Sequence, residues 1–473
     1  MDLLDWDASD LSEALAARRI SAVELMQATL ARIEAVNGKV NAVISLRDRD
    51  TLLAEAEASD ASPRKGWLHG IPMAIKDLAD AEGLPTSQGS PLFGAQPAER
   101  DHPAVARLRA AGAIVIGKTN TPEFGLGSHT FNPVHGATCN PYDLGRSAGG
   151  SSGGAAAALA ARMVAVADGS DMMGSLRNPA GWNNVYGMRP TWGRVPSDDG
   201  GDLFLHQLST LGPMARSPRD LAALLDVMSG ADPRQPLTRS GPDTAPDIDA
   251  ALPAQRVGWL GDWGGAFPCE PGIIDLSEAA LNRLAGLGHE VIPIAAPFDA
   301  DAMWESWITL RSFAVAASLG AIYDDPARRD GLKPAAQWEV ARGQGFSASD
   351  IQRASGIRSD WFRAAHALFE EVDVLVLPSA QVWPFDVGMV HPTEINGQPM
   401  DSYHRWMQVV VPACLIGLPV VNIPAGFDNR GLPLGLQLIG KRGSDARLLQ
   451  LAQGWHRATG YPQAQPPAVA GLN

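Results

Sequence analysis

Residues 145–154 read GRSAGGSSGG and run directly into AAAALAARMVAVADGS, residues 155–170. On composition alone, a Gly/Ser run is a flexible spacer between domains. Its neighbours argue against that reading. The preceding CNPYDLG (139–145) carries turn-forming residues, and the segment that follows is rich in apolar helix formers. A phosphate-cradling loop is also disfavoured, because GGSSGG lacks the Gly-Lys-Ser/Thr that anchors a nucleotide. The run therefore reads as a fixed turn delivering chain into a buried helix, and any fold proposed for this chain must hold that turn in its interior.

The surrounding pattern is α/β. GIPMAIKDL (70–78) and AIVIGKTN (113–120) are β-type runs, and DHPAVARLRAAG between them has helical spacing, which implies a βαβ unit and a largely parallel sheet. Further β-type runs occur at 256–260, 289–294 and 372–378, alternating with helical patterns. Residues 10–36 predict two amphipathic helices with Asp10 and Ser21 as N-caps. The stretch 229–253 is rich in Pro, Asp and Gly and reads as an exposed excursion. A length of 473 residues admits two or three domains or one large α/β enzyme, and the patterning favours one core running nearly end to end.

Charge and cysteine usage narrow the partners. The net charge of −14, from 38 basic and 52 acidic residues, repels phosphate backbones and anionic lipid surfaces, so neither nucleic acid nor a membrane is expected. The longest apolar run, VVVPACLIGLPVV (409–421), is too short for a bilayer and contains two prolines. Cys139, Cys269 and Cys414 form no C-x-x-C pair, and the opening MDLLDWDASDL is acidic where a secretory leader is basic; a cytoplasmic location is the expectation. Ten histidines show no ligand spacing, so no metal is expected, and no cofactor. Among thirteen tryptophans, Trp182, Trp304, Trp307 and Trp338 could line an apolar cavity, although core packing is the stronger reading for each one.

Eight segments, in order along the chain, carry a specific resemblance: VELMQATLARIEAVNGKVNAV, GIPMAIKDL, GKTNTPEFG, NPYDLGRSAGGSSGG, DGSDMMGSLRNPAG, GMRPTWGRV, LGPMARSPRDLAALLDVM and GLPVVNIPAGFDNRGLPLGLQLIG. Together they resemble the amidase signature family of serine hydrolases over almost the whole chain, and within it the branch of nylon-oligomer hydrolases, aryl acylamidases and urethane-cleaving enzymes. The resemblance implies a mixed, mostly parallel central sheet covered by helices on both sides. It implies one domain over 1–473, with a variable region from about 230 to 370 above the pocket. It also implies a triad: Ser175 as nucleophile, Ser151 as a proton relay joined to Gly150 by a cis peptide bond, and Lys76 as base.

A lysine has an ordinary pKa near 10.4 and serves as a base at neutral pH only when burial lowers it. GIPMAIKDL supplies the apolar setting, and alternation along a strand turns Asp77 to the face opposite Lys76. By the resemblance, the oxyanion donors are the main-chain amides of Met172, Met173, Gly174 and Ser175. Ser152 supports the lysine, Ser170, five residues before Ser175, is a further supporting candidate, and Asp171 pairs with Arg177 to hold the turn. The sequence departs from the family pattern at DMMGS, where methionines replace smaller residues, and at Asn183 and Asn184. Met172 and Met173 either shape the acyl pocket or fill core, and Asn184 or Asn183 takes the left-handed turn that asparagine tolerates.

The implied activity is cofactor-free cleavage of an apolar amide, anilide or carbamate through an acyl-enzyme. A homodimer is left open. Two alternatives stand beside it: a glutaminase component of an amidotransferase working with partner subunits, and a non-catalytic binding protein on the same scaffold.

Overall fold

The computed structural model describes residues 3–197 and 201–469. The chain opens with helices α1 (Ala8–Ala16) and α2 (Ala22–Val40). Ser21 caps α2 through a reciprocal pair with Glu24, as the S-x-x-E pattern requires. Asp10 is not the cap of α1; that position is Asp7, and Asp10 lies within the first turn, where a carboxylate meets the positive end of the helix dipole.

The βαβ unit forms as the pattern predicts. β1 (Val43–Ile44), β2 (Pro72–Lys76) and β3 (Ile114–Thr119) make a three-stranded sheet in the order β1-β3-β2, with β2 parallel to β3 and helix Pro103–Ala110 between them. Every residue of β2 and β3 is buried, which is why both read as continuous apolar runs and not as alternating ones.

The main sheet has eight strands: β4 (Val166–Asp171), β5 (Tyr186–Arg189), β6 (Thr210–Ala215), β7 (Arg256–Trp259), β8 (Glu290–Pro293), β9 (Val374–Pro378), β10 (Val420–Phe427) and β11 (Pro433–Gly440). Their order is β8-β7-β9-β11-β10-β5-β6-β4. The α/β class and the mixed sheet agree with expectation, but the parallel share is smaller than expected. β7 is parallel to β8 and β9, and the other neighbouring pairs are antiparallel. Short connections cause this: β10 and β11 are joined by a tight turn at 428–432, and a parallel pair needs a crossover such as helix Ile273–Gly286 between β7 and β8.

The glycine-rich run leads into α3 (Gly153–Ala160), buried on every side, as an apolar helix without a polar stripe must be. A Cβ at Gly154 would collide with the Asn120 backbone, so only glycine admits that approach. After β4, a tight turn enters α4 (Arg177–Trp182). Residues 229–255 contain no helix or strand, consistent with the excursion. Beyond them, α5 (Ala300–Asp324), α6 (Pro334–Gln344) and α7 (Ala348–Glu371) pack together over the turn after β4. Trp304 and Trp307, on the buried side of α5, share a core with Trp182, which is stacked on Trp406; core packing is their role.

Candidate active site

β2 ends on Lys76, and its carboxyl-terminal end faces β4. Alternation on β4 turns Asp168 and Ser170 to that side, and both reach the lysine: Asp168 Oδ1 accepts its main-chain N–H at 3.0 Å, and Ser170 Oγ lies 3.0 Å from Nζ. The glycine-rich turn supplies the rest. Gly150–Ser151 is cis, and Lys76 Nζ lies 2.8 Å from Ser151 Oγ and 2.9 Å from Ser152 Oγ. Ser152 sits at the N-cap of α3 without capping it, which leaves its hydroxyl for the lysine.

Three hydroxyls match the three N–H donors of an ammonium; a neutral amine keeps two and accepts from the third. Lys76 is 1% exposed, and burial lowers its pKa to about 7 against the pull of Asp168 and Asp171. Asp77 faces away, as alternation predicts, toward Lys118 Nζ at 3.6 Å and Ser87 Oγ at 2.5 Å. Asp168 was not singled out in the sequence, although its spacing of two from Ser170 on a strand was a usable signal.

The turn after β4 is held by charge. Arg177 donates to both Asp171 oxygens at 2.9 Å, and Arg189, also missed in the sequence, adds a contact at 3.3 Å. Burial opposes ionisation of Asp171, but the two guanidinium groups outweigh it and hold the carboxyl well below the usual range. Arg177 also donates to Val410 O at 2.9 Å and Gln437 Oε1 at 2.5 Å, fastening the turn to β11. Gly174 has φ +81°, a conformation suited to glycine, and its N–H donates to Asp171 Oδ1 at 2.9 Å. That bond removes Gly174 from the expected oxyanion donors and leaves the amides of Met172, Met173 and Ser175. Asn184, with φ +54°, takes the left-handed position of the following turn, while Asn183 donates to Ala148 O and Pro179 O.

A cavity of about 160 Å³ is lined by Ser151, Ser170, Ser175, Met172, Met173, Leu126 and Arg311, among others. Ser175 is 7% exposed. The Ser152 N–H donates to the Ser175 carbonyl at 3.2 Å, tying the two turns together. Among the described residues no hydrogen bond joins the Ser151 and Ser175 hydroxyls directly; both face the shared cavity. Both methionines line the cavity, Met173 is buried in the core, and Met172 packs against that core. Among the described residues no tryptophan lines it, and Trp338 belongs instead to a second cavity of about 850 Å³ that adjoins the first at Leu126, Gly127 and Ser128. Among the described residues no cluster of His, Cys, Asp or Glu could hold a metal, and no helix is long and apolar enough to cross a membrane.

A mixed eight-stranded sheet that brings Ser151 and Ser175 to one cavity, with the buried Lys76 amine hydrogen-bonded to Ser151, has the layout of an amide-cleaving hydrolase. The chain belongs to the amidase family, whose model matches residues 24–449, and it is an enzyme that acts on C–N bonds. It is 34% identical to one of the subunits of glutamyl-tRNA(Gln) amidotransferase from Thiobacillus denitrificans, covering 98% of this chain and 99% of that one. Among solved structures it resembles a bacterial aryl acylamidase of the amidase signature family (TM-score 0.91, 27% identity, 99% of each chain covered). It also resembles 6-aminohexanoate cyclic dimer hydrolase in complex with substrate (TM-score 0.89, 29% identity, covering 99% of this chain and 100% of that one).

Proposed function

We propose that the protein hydrolyses amides of a short acyl group and a bulkier, aromatic amine through an acyl-enzyme on Ser175, with Lys76 as base and Ser151 as relay. The observation that carries this is the Lys76 amine, buried among the hydroxyls of Ser151, Ser152 and Ser170 with a pKa of about 7, beside the cavity that holds Ser175. Half of such an amine is neutral at neutral pH, whereas an ordinary lysine is almost wholly charged.

As Ser175 Oγ attacks the carbonyl carbon, its proton passes to Ser151 Oγ, and the Ser151 proton passes to Nζ. The C–N bond breaks as the same path returns a proton to the departing amine. Water then attacks the ester on Ser175 by the reverse transfers and releases the acid. Amides of Met172, Met173 and Ser175 stabilise the oxyanion. The link from Ser151 to Ser175 closes when substrate fills the cavity, since catalytic hydrogen bonds often tighten only in the complex.

Size assigns the substrate halves. A cavity of about 160 Å³ has room for roughly five water-sized groups, enough for a short acyl chain. The adjoining cavity of about 850 Å³, with Phe131, Trp338, Tyr403 and Trp406 in its wall, suits an aromatic amine. The region from about 230 to 370 contributes Arg311, Val315 and Leu319 to the first cavity and Lys333 and Trp338 to the second, which supports its role in specificity. A carbamate would follow the same path through a carbamoyl-enzyme.

Incubation with a short-chain p-nitroanilide should release p-nitroaniline and leave the acyl mass on the Ser175 peptide, and Ser175→Ala should abolish both. The likeness to an amidotransferase component supports a second reading, a glutaminase working with partner subunits. Ammonia released from glutamine, with anilides untouched, would replace the first reading by the second.

A further inference from the structure

α5 carries Arg311 into the wall of the small cavity, where it is 3% exposed. A guanidinium has five N–H donors and no acceptor. Nε donates to Glu339 Oε1 at 2.7 Å, and Nη2 donates to Tyr403 Oη at 2.7 Å. Glu339 is in turn held by Ser312 Oγ at 2.8 Å and Tyr403 Oη at 2.8 Å. Burial opposes ionisation of Glu339, but Arg311 outweighs it and keeps the carboxylate charged. Burial also drives the nearby His404 down to about 3, so it is neutral and does not compete for Glu339.

One edge of the arginine is left over. Among the described residues, the only hydrogen-bond partner of Nη1 is the Met172 thioether sulfur at 3.5 Å, a weak acceptor. Met172 and Arg311 line the same cavity as Ser175. A donor on a cavity wall with only a thioether for a protein partner is free to serve a group that enters the cavity. The rest of the fork is clamped by Glu339 and Tyr403, so this edge stays turned toward the cavity.

We propose that Arg311 Nη1 is a specificity-determining donor that receives an oxygen on the acyl chain of the substrate, beyond the scissile carbonyl. The acyl group is therefore an oxygen-bearing one, ending in a carboxylate or carrying an ester carbonyl, and not a plain alkyl chain. The inference rests on the reading of the small cavity as the acyl site. Nη1 is a single nitrogen, so it takes one oxygen end-on and not a bidentate carboxylate pair. Because Glu339 already balances the charge of Arg311, a neutral carbonyl oxygen and a carboxylate are both accommodated, and their relative affinity distinguishes them.

The test is calorimetric binding to the Ser175→Ala protein, which removes turnover. Three amides of matched length serve as probes: glutaric acid monoamide, its methyl ester and hexanamide. The expected result is that one or both oxygen-bearing amides bind about tenfold or more tightly than hexanamide, the effect of one hydrogen bond to a charged donor. The carboxylate being tighter than the ester would identify an anionic substrate, and the reverse a neutral one.

Arg311→Met alone would leave Glu339 buried without its partner, so Arg311→Met with Glu339→Gln is the variant of choice, checked for folding by its thermal transition. In that pair the ratio of affinities between the oxygen-bearing amides and hexanamide should fall to about one. Hexanamide binding as tightly as both oxygen-bearing amides, or a preference that survives in the double variant, overturns the proposal. Anilide hydrolysis by the unmodified enzyme reports on the catalytic reading separately: its absence would sink that reading without erasing a binding preference that depends on Arg311.

Discussion

Two lysines stand on neighbouring buried strands, and they have been given opposite surroundings. Lys118 on β3 is fully buried; it donates to Ala79 O at 2.6 Å and Thr86 Oγ1 at 2.9 Å, with the Asp77 carboxylate at 3.6 Å. Lys76 on β2 is buried just as deeply, but its amine touches hydroxyls and a carbonyl, with no carboxylate of the described residues in ion-pair contact. Burial lowers the pKa of both, and for Lys118 the adjacent Asp77 opposes the shift. The comparison teaches that burial alone does not make a lysine a base. What matters is whether the fold also supplies a counter-ion, which holds the proton, or hydroxyls, which can hand it on.

The largest break in that comparison is Lys76→Ala. It should lower kcat for amide hydrolysis by about 10³-fold, measured at saturating substrate, with the fold retained by circular dichroism. Lys118→Met should do the converse. Leaving Asp77 buried without its partner should cost about 3 kcal/mol in denaturant unfolding, and adding Asp77→Asn should recover most of that loss.

A smaller effect sharpens the contrast. Ser170→Ala removes one acceptor of the Lys76 ammonium and so favours its neutral form. The lower limb of the pH–kcat/KM profile should move down by about one pH unit, read from initial rates between pH 5 and 9.

Stability should depend on pH as well. The folded pKa of Lys76, about 7, lies below its ordinary value of 10.5, so between these limits the unfolded chain binds the extra proton. The contribution of this group to stability therefore rises with pH from about 7 to about 10.5 and is lowest below 7. Lys76→Met should flatten that segment of the stability–pH curve, as followed by urea midpoints.

The contrast between the lysines was half legible in the sequence. Strand alternation in GIPMAIKDL placed Lys76 and Asp77 on opposite faces, and the ordered motifs brought Ser151 and Ser152 to the lysine, where the structure has them, while the contact of Ser170 with Nζ came only from the structure. The partner of Asp77 was not legible, because Lys118 comes from another strand and nothing in GKTN announces a buried charge. The same limit hid Arg189 behind Asp171, and it hid the Gly174 amide, which Asp171 takes before any oxyanion can.

Arg311, Glu339 and Tyr403 meet from three separate segments, α5, α6 and the loop before residue 405, so no local pattern revealed them. Sheet direction failed for a related reason: β2, β3, β7, β8 and β9 were read where they stand, but β5, β6, β10 and β11 were not singled out, β4 lies almost wholly within the run read as helical, and the order and sense of all are set by long-range packing. The tryptophans were visible as residues, while which of them are buried, Trp182, Trp304 and Trp307 but not Trp338, was not.

The central claim is that Lys76, and not bulk hydroxide, prepares Ser175. It is tested most directly by the rate at which phenylmethylsulfonyl fluoride modifies the protein from pH 5 to pH 9, with the adduct mapped by peptide mass spectrometry. The account predicts modification of Ser175, a rate that rises through an apparent pKa of about 7, and loss of that step in Lys76→Ala. A rate that climbs steadily with hydroxide in both proteins, or an adduct on a residue other than Ser175, would contradict it.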